Sequence, residues 1–380
     1  MNKPFAGGGQ RDMTGMARIW TLNGDFVGLK PTGVPRYARE VSLALDALIG
    51  ENHPLTEGLS IDLVAPRAPD DLPLRHIPIR VVPEYSKPRL PQLWVQLQLP
   101  RHAKGGLVSF CNLAPVGRRR HIVCIHDLHT WIRPESYGRG FRLAHRLILP
   151  LLGRRAHSIT TVSSLSRDHL IEYGVAPAEK ITVTYNGSDH AARWDADASR
   201  LEIGHRPFVF CLGQNQPYKN MELVWRIAPA LDALGLDVYM AGTISQDVLR
   251  SYGGEQPANL RLLGRIGDND LAKAFRSALC FLFPSRIEGF GLPAIEAMSW
   301  GCPVIAANAP CLPEVLGEAA LYAGPDDAGG WVKTIDRLRG DPALQREMSV
   351  RGRMRAARFT WRGIAECYLR LMADIDEGTS

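Results

Sequence analysis

Short apolar runs alternate with amphipathic helical stretches along the chain, and this alternation is the strongest constraint on its fold. The first half contains seven runs of β-type residues bounded by turn residues, and the second half contains a further series that ends in a helical tail. Examples from the two halves are RIWTLNG, RHIVCIHD and SITTVSS, then FVFCLG, ALCFLF and PVIAAN. Strands and helices that alternate at this spacing form parallel β-α-β units. The sequence therefore predicts an α/β protein with parallel sheets.

A polar stretch, DHAARWDADASRLEIGHRP, separates the two series and has the composition of a linker. The chain has 380 residues. Since a domain takes roughly 100–200 residues, we expect two doubly wound domains joined near residues 190–205. In open parallel sheets, ligands bind beyond the carboxyl ends of the strands. Candidate functional residues are therefore expected in the loops that lead from strands into helices.

Composition excludes several classes of protein. With 45% hydrophobic and 22% charged residues, the chain is not intrinsically disordered, and its apolar runs are far shorter than the ~20 residues of a membrane-spanning helix. The seven cysteines show no CxxC spacing and lie mostly in apolar runs, so we expect reduced thiols in the core. The first twenty residues contain no apolar segment typical of a secretory signal, so we expect a cytoplasmic protein.

Charge is distributed unevenly between the two halves. Residues 1–190 carry 24 basic and 16 acidic side chains, whereas the rest of the chain carries 21 and 23. Such asymmetry indicates an anionic partner for the first half, such as a nucleic acid or a lipid surface.

The most informative loop is PSRIEGFGLPAIE, residues 284–296, which follows a predicted strand and opens a predicted helix. Gly289 and Gly291 allow the backbone to approach a ligand, and a helix N-terminus offers amides and a positive dipole end to a phosphate. Glu288 and Glu296 frame the loop, and their carboxylates can accept hydrogen bonds from sugar or ribose hydroxyls. This arrangement indicates a nucleotide-sugar site. The structural alternative is that Glu296 caps the helix and Glu288 is solvated.

This segment and the GCPVI that follows closely resemble the E-x7-E signature region of family 4 (group 1) retaining glycosyltransferases, which have the GT-B fold. Residues 205–330 resemble the donor-binding domain throughout. The first half is similar more loosely, through TGVPRYARE, the HD pair at 126–127, TVSSLS and YNG. The resemblance implies two Rossmann-like domains that face each other across a cleft. Residues 1–195 would form the acceptor-side domain, residues 205–361 the nucleotide-sugar domain, and residues 362–380 a helix that returns to the first domain.

The resemblance also implies a reaction and the roles of individual residues. A sugar would pass from a nucleotide diphosphate sugar to an acceptor hydroxyl with retention of configuration, and neither a metal nor another cofactor would be required. Glu288 would bind the donor sugar and Glu296 the ribose. The donor-binding set is completed by the phosphate-binding lysine and by the backbone around the diphosphate: Gly33, Lys219, Gly289, Phe290, Gly291 and Leu292.

Lys219, in the loop GQNQPYKN, matches the phosphate-binding lysine of the family. Many relatives have a second basic residue beside it, whereas this chain has Gln214 and Tyr218. A guanidinium group suits phosphate geometry, and sequence spacing does not choose among three candidates: Arg36, Arg265 and Arg286.

His126 ends a predicted strand and matches a family histidine that contacts the donor sugar or the reacting centre. Asp127 can orient its imidazole or cap the next turn. The resemblance therefore assigns His126, Glu288 and Lys219 as catalytic. It places three residues on the acceptor side: Arg36, Tyr37 and Asp127.

Residues 139–155 combine arginines with leucines and a phenylalanine. A basic amphipathic stretch of this kind can lie on an anionic membrane surface. The alternative is an ordinary helix that packs its apolar face on the sheet, and Pro150 interrupts the pattern. Many relatives use polyprenyl-diphosphate-linked acceptors, so the resemblance makes peripheral contact with the inner face of the cytoplasmic membrane a hypothesis beside the ordinary packed helix.

Together these observations predict a hexosyltransferase of bacterial surface polysaccharide assembly, with mannose as the first expectation for the sugar. The donor would be GDP-mannose or a UDP-sugar, and the acceptor a glycan or a polyprenyl-diphosphate-linked glycan. One alternative is a catalytically inactive partner that binds nucleotide sugars in an assembly complex, and others are a GT-B epimerase or a sugar phosphorylase. Nucleic-acid binding would explain the basic half but not the carboxylates around the 284–296 loop, so no nucleic acid is expected.

Overall fold

The computed structural model describes residues 18–30, 32–84 and 93–378. In this part of the chain, thirteen strands form two sheets in which every neighbouring pair is parallel. The strands of the first sheet are β1 (Arg18–Asn23), β2 (Leu59–Ala65), β3 (Ile79–Val81), β4 (Gly106–Ser109), β5 (His121–Cys124), β6 (Ser158–Thr161) and β7 (Ile181–Val183). Those of the second sheet are β8 (Phe208–Gly213), β9 (Asp237–Gly242), β10 (Leu260–Gly264), β11 (Cys280–Phe283), β12 (Val304–Ala307) and β13 (Ala320–Ala323).

The strand orders are β3-β2-β1-β4-β5-β6-β7 and β10-β9-β8-β11-β12-β13, so each sheet is doubly wound from its first strand. This confirms the predicted α/β fold with two Rossmann-like sheets. In the first domain the helices are α1 (Val34–Gly50), α2 (Leu99–His102), α3 (His129–Ile132), α4 (Arg139–Arg155) and α5 (Ser164–Glu172). The later helices are α6 (Met221–Ala233), α7 (Gln246–Ser251), α8 (Asp268–Ser277), α9 (Leu292–Ser299), α10 (Leu312–Leu316), α11 (Ala328–Gly340), α12 (Pro342–Ala356) and α13 (Trp361–Glu377).

One element differs from the sequence prediction, and one helix tolerates an internal proline. Strand β13 lies in a segment that we expected to belong to a helical tail. Its four residues, ALYA, include two alanines with little strand preference, and they become a strand by pairing with β12 at the sheet edge. Helix α4 runs through Pro150 without ending, although the proline removes a backbone hydrogen bond. The proline therefore does not divide the helix expected over this stretch.

The last helix, α13, packs on the first domain after the chain has completed the second sheet. The Asp376 carboxylate accepts hydrogen bonds from Arg18 Nε at 2.8 Å and from Trp20 Nε1 at 3.0 Å, and both donors lie on β1. The Tyr368 hydroxyl lies 3.1 Å from the Tyr37 hydroxyl of α1 in the core. The chain end therefore completes the hydrophobic core of the first domain. All seven cysteines are free, and five of them are buried.

Candidate active site

The loop after β11 turns directly into α9, and we call residues 284–291 the glycine loop. Gly291 has φ 94°, and a Cβ added there would lie 3.1 Å from Leu312 Cδ2 and 3.2 Å from Phe283 Cε1. Both the backbone angle and the crowding therefore require glycine. The N–H groups of Phe290, Gly291 and Leu292 donate to no other group in the described part of the chain. Three free amides thus lie at the N-terminus of an eight-residue helix.

The side chain of Phe290 packs against one aromatic ring of the second domain, Phe359, and one of the first, Tyr185. It is buried, with ring centroids 5.3 Å from Phe359 and 6.2 Å from Tyr185. Its contribution to a ligand site is therefore its amide, whereas its ring fixes the loop.

Lys219 and Glu288, predicted to be catalytic, form an ion pair. The Lys219 ammonium lies 2.7 Å from Glu288 Oε1, and the two side chains are 16% and 10% exposed. Asn220 fixes the turn that carries Lys219. It adopts the left-handed conformation with φ 58°, and its Nδ2 donates to the Pro284 carbonyl at 3.1 Å. Glu288 Oε2 has no hydrogen-bond partner among the described residues.

Glu296 lies one turn into α9 and is buried. Its Oε1 accepts a hydrogen bond from His190 Nε2 at 2.8 Å, while Oε2 has no hydrogen-bond partner in the ranges that the structure describes. Trp361 Nε1 donates to His190 Nδ1 at 3.0 Å, so the remaining ring proton is on Nε2 and points at the carboxylate. His190 came from the polar linker, where no motif distinguished it.

Arg36 crosses from α1 to the second domain. It makes a two-pronged hydrogen bond with Asp268 at 2.7 and 3.1 Å, and its Nε lies 3.8 Å from Glu296 Oε1. Burial opposes its charge, but the hydrogen bonds to Asp268 and the Glu296 carboxylate raise the pKa of Arg36. Arg36 thus forms an interdomain ion pair with Asp268, beside Glu296, the predicted ribose-binding carboxylate. Of the other two candidate cations, Arg286 pairs with Asp326 at 2.6 Å and Arg265 is exposed.

His126 and Asp127 follow β5 on the opposite side of the cleft. His126 is buried, and its Nε2 lies 2.8 Å from the Phe110 carbonyl. Burial lowers its pKa, but the adjacent Cys124 and the Phe110 carbonyl outweigh this, and the pKa of His126 is raised. Asp127 lies against the glycine loop, because a Cβ on Gly289 would be 3.4 Å from Asp127 Oδ2.

Asp127 is also held in its charged form. Its Oδ1 accepts the His129 N–H at 2.9 Å. Burial raises its pKa, but the interactions with His129, His126 and His145 together outweigh burial, and the pKa of Asp127 is lowered. Of the predicted acceptor-side residues, Asp127 is therefore the one that lies beside the glycine loop.

Tyr37 lies elsewhere than predicted. It is fully buried in the first domain, and its hydroxyl is 2.9 Å from Thr184 Oγ1 and 3.1 Å from the Tyr368 hydroxyl. Since an aromatic residue in the core cannot contact an acceptor, the assignment of Tyr37 to the acceptor side does not fit the structure. Gly33 precedes α1 with φ 55° and open space around it, as a close backbone approach requires.

Tyr218 lies directly before Lys219, at one of the two positions where the resemblance leads to the expectation of a second basic residue. Its ring centroid lies 5.3 Å from the Lys219 ammonium and 5.3 Å from the ring of His129 in the first domain. Burial raises the pKa of the Tyr218 hydroxyl, and the neighbouring Tyr137, also in the first domain, raises it further. Tyr218 therefore joins the two domains next to the lysine instead of supplying charge.

Among residues 18–30, 32–84 and 93–378, no group of three or more His, Cys, Asp or Glu side chains is arranged to hold a metal ion. In the same ranges, no helix has both the length and the apolar character needed to cross a bilayer.

Comparison with protein families divides the chain at its linker. Residues 31–192 match the model of "Glycosyltransferase Family 4", and residues 193–355 match that of "Glycosyl transferases group 1". Among curated proteins, O-antigen chain mannosyltransferase B of Escherichia coli is 29% identical over 256 residues, which are 64% of this chain and 67% of that protein. O-antigen chain mannosyltransferase RfbU of Salmonella typhimurium is 27% identical over 232 residues, 58% of this chain and 62% of that protein.

A third relative, serotype-specific mannosyltransferase WbdA of Escherichia coli, is 26% identical over 279 residues, 67% of this chain but 34% of WbdA. Solved structures agree on the fold. Sucrose-phosphate synthase from Thermosynechococcus elongatus has a TM-score of 0.70 at 20% identity, covering 95% of this chain and 99% of that one. WaaG, a glycosyltransferase involved in lipopolysaccharide biosynthesis, has a TM-score of 0.67 at 12% identity, covering 93% and 99%.

Proposed function

We propose that this chain, a GT-B glycosyltransferase in which a family 4 domain precedes a group 1 domain, transfers mannose from GDP-mannose to a glycan hydroxyl. The acceptor would be a growing bacterial surface polysaccharide, carried on a polyprenyl diphosphate, and the anomeric configuration would be retained. Three relatives named as O-antigen or serotype-specific mannosyltransferases support the choice of sugar and pathway.

One observation carries this proposal: free hydrogen-bonding groups of complementary kinds converge at the glycine loop. Three amides are free to bind a diphosphate. On either side of them, Glu288 and Glu296 each keep one carboxylate oxygen without a hydrogen-bond partner in the described part of the chain. A sugar on one side of a diphosphate and a ribose on the other present hydroxyl donors at those two positions. Lys219 would then move its ammonium from Glu288 to the diphosphate.

In the proposed reaction, the bond between the anomeric carbon and the diphosphate breaks while the acceptor oxygen attacks the same face. The amides and Lys219 stabilise the charge that develops on the leaving diphosphate. The proton of the acceptor hydroxyl passes to the leaving phosphate oxygen, so the protein contributes positioning and electrostatics. We propose that no metal takes part. A transfer rate that stays within about twofold of its original value in excess EDTA would support this. A rate that falls in EDTA and is restored by Mg²⁺ would contradict it.

A screen of nucleotide sugars tests the proposal. Purified protein is incubated with GDP-mannose, UDP-glucose or UDP-galactose and a polyprenyl-diphosphate-linked acceptor, and the product is examined by NMR. We expect α-mannoside from GDP-mannose with the wild type and at least 100-fold less with Glu288→Gln. The matched control, Glu318→Gln, changes an exposed carboxylate and should retain activity. Donor binding without any turnover would instead support the inactive partner.

A second part of the proposal concerns attachment to the cytoplasmic face of the membrane through α4. One face of this helix, including Leu149 and Leu152, is buried in the first domain. The opposite face carries a second apolar stripe, since Leu143 and Leu147 are each 59% exposed and Leu151 is 42% exposed. The helix has five arginines and no acidic residue: Arg139, Arg142, Arg146, Arg154 and Arg155. Exposed leucines beside arginines match an anionic lipid surface.

Vesicle co-sedimentation tests this attachment. We expect the wild type to sediment with phosphatidylglycerol vesicles and to stay in the supernatant with phosphatidylcholine vesicles. The double variant Leu143→Ser/Leu147→Ser should lose sedimentation. A matched control, Val350→Ser/Met354→Ser, changes two exposed apolar residues with the same spacing on α12. Equal loss in both double variants, or no sedimentation of the wild type, would contradict the α4 attachment.

A further inference from the structure

The N-terminus of α5 in the first domain is capped by a side chain of the second domain. Glu314 Oε1 accepts a hydrogen bond from the Ser164 N–H at 2.7 Å, and Oε2 accepts one from the Leu165 N–H at 3.3 Å. Ser163 caps the same turn from within the first domain, since its hydroxyl accepts from the Ser166 N–H at 3.0 Å. A helix leaves its first amides without internal partners. In α5 these amides are therefore divided between the two domains.

Glu314 is fixed on the second domain and linked to the glycine loop. The Arg355 guanidinium donates to the Glu314 carbonyl at 2.6 Å, which holds the backbone of α10. Three residues before Glu314, the Cys311 thiol donates to the Gly289 carbonyl at 3.3 Å. Cys311 adopts φ 75°, a conformation that is unfavourable for a residue with a side chain. Residues 311–314 therefore contact the glycine loop at one end and the first domain at the other.

We propose that Glu314 is a positioning residue for the transfer reaction, which holds the glycine loop at its working distance from the acceptor-side Asp127. The inference rests on the proposed function. A carboxylate at a helix N-terminus is stabilised by the free amides and by the positive end of the helix dipole. A movement of the domains about residues 190–205 that widens the cleft breaks both hydrogen bonds of Glu314. The contact therefore favours the closed arrangement, in which donor and acceptor meet.

Two single variants remove this contact from opposite sides. Glu314→Ala removes the carboxylate. Ser164→Pro removes the N–H that makes the shorter hydrogen bond, and it keeps α5 intact because proline is tolerated at the first helical position. Ser163 has φ −160° and ψ 162°, an extended conformation that a following proline accepts. Glu314→Gln keeps an acceptor oxygen without the charge, and Glu318→Ala is a control that changes a nearby exposed carboxylate.

Steady-state kinetics and calorimetry distinguish positioning from general destabilisation. Since loss of a helix cap shifts an equilibrium by about 2- to 30-fold, we expect Glu314→Ala and Ser164→Pro each to lower kcat about 10-fold. The Kd for the nucleoside diphosphate should stay within about twofold, because the three free amides, Lys219 and Glu296 that would bind it all lie in the second domain. In the double variant, kcat should also fall by about 10-fold and no further. Glu314→Gln should have a kcat between those of Glu314→Ala and the wild type, and Glu318→Ala should behave as wild type. The proposal would be overturned if the loss of kcat in the double variant equalled the product of the two single losses. It would also be overturned if kcat and nucleotide affinity fell by the same factor.

Hydrogen exchange tests the contact without any activity. In Glu314→Ala, we expect the peptide covering residues 162–170 to exchange several-fold faster than in wild type and in Glu318→Ala. If the wild type transfers no sugar from any donor, the proposed function fails while this measurement still decides the contact. Unchanged exchange in Glu314→Ala would overturn the inference even in an active enzyme.

Discussion

The Lys219–Glu288 ion pair leads to a prediction with an unusual sign: removing the charge of Glu288 should tighten the binding of the free nucleoside diphosphate while it abolishes transfer. In the wild type, Glu288 holds the lysine at 2.7 Å, so an incoming diphosphate meets a neutral pair. In Glu288→Gln the ammonium is free for phosphate. The sugar hydroxyls that Glu288 would bind are absent from the free diphosphate, so nothing is lost in return.

The size of the effect follows from the geometry. A phosphate oxygen bound to Lys219 at about 2.8 Å lies at most about 5.5 Å from Glu288 Oε1, because the ion pair itself measures 2.7 Å. Two unit charges at about 5.5 Å repel by about 0.8 kcal/mol in water and by about 3 kcal/mol at an effective dielectric constant of about 20. With side chains only 16% and 10% exposed, the value lies between these limits. Binding should therefore tighten by about 5- to 100-fold.

Isothermal titration calorimetry with GDP, and with UDP as the alternative nucleotide, measures this change directly. Lys219→Met should weaken binding at least 10-fold, and Glu318→Gln should leave the Kd within about twofold of wild type. Weaker binding of both nucleotides to Glu288→Gln than to wild type would refute the competition between phosphate and Glu288 for the lysine. Full transfer activity in the same variant would refute the sugar-binding role.

Three further predictions address single residues. Gly291→Ala should lower the free energy of unfolding by about 1–2 kcal/mol, because its φ of 94° is unfavourable for alanine, and unchanged denaturant midpoints would contradict this. Tyr37→Phe should cost about 1–3 kcal/mol through its two buried hydroxyl partners but leave the acceptor KM unchanged, whereas a raised KM would restore Tyr37 to the acceptor side. Burial raises the pKa of Asp25 from 3.8 to about 7, so the native state binds an extra proton between these values and stability falls as pH rises. In urea unfolding, the free energy of unfolding of the wild type should fall by up to about 4 kcal/mol more than that of Asp25→Asn between pH 4 and pH 8. Free energies of unfolding that depend on pH in the same way in both proteins would contradict the raised pKa.

Local chemistry in a short segment was predictable from the sequence, whereas contacts between distant segments were not. Gly291 and the glutamates around it share one loop, so strand, turn and helix signals place them together without knowledge of the rest of the fold. His190 lies 106 residues from Glu296 in a linker of ordinary polar composition, and only folding brings its Nε2 within 2.8 Å. Tyr37 begins a helix as expected, but its burial depends on α13, which arrives from the far end of the chain.

The ion pairs of the structure also bear on the uneven distribution of charge between the two halves of the chain. At the glycine loop, Lys219 is offset by Glu288, and Arg36 is offset by Asp268 and Glu296. These five groups carry two positive and three negative charges, so this part of the site has no positive excess before a donor binds. In α4, by contrast, arginines flank exposed leucines with no acidic residue on the same helix. Since surface charges act over about 10 Å at moderate salt, we propose that this excess serves the α4 attachment to an anionic lipid surface more than it serves a diphosphate in the cleft.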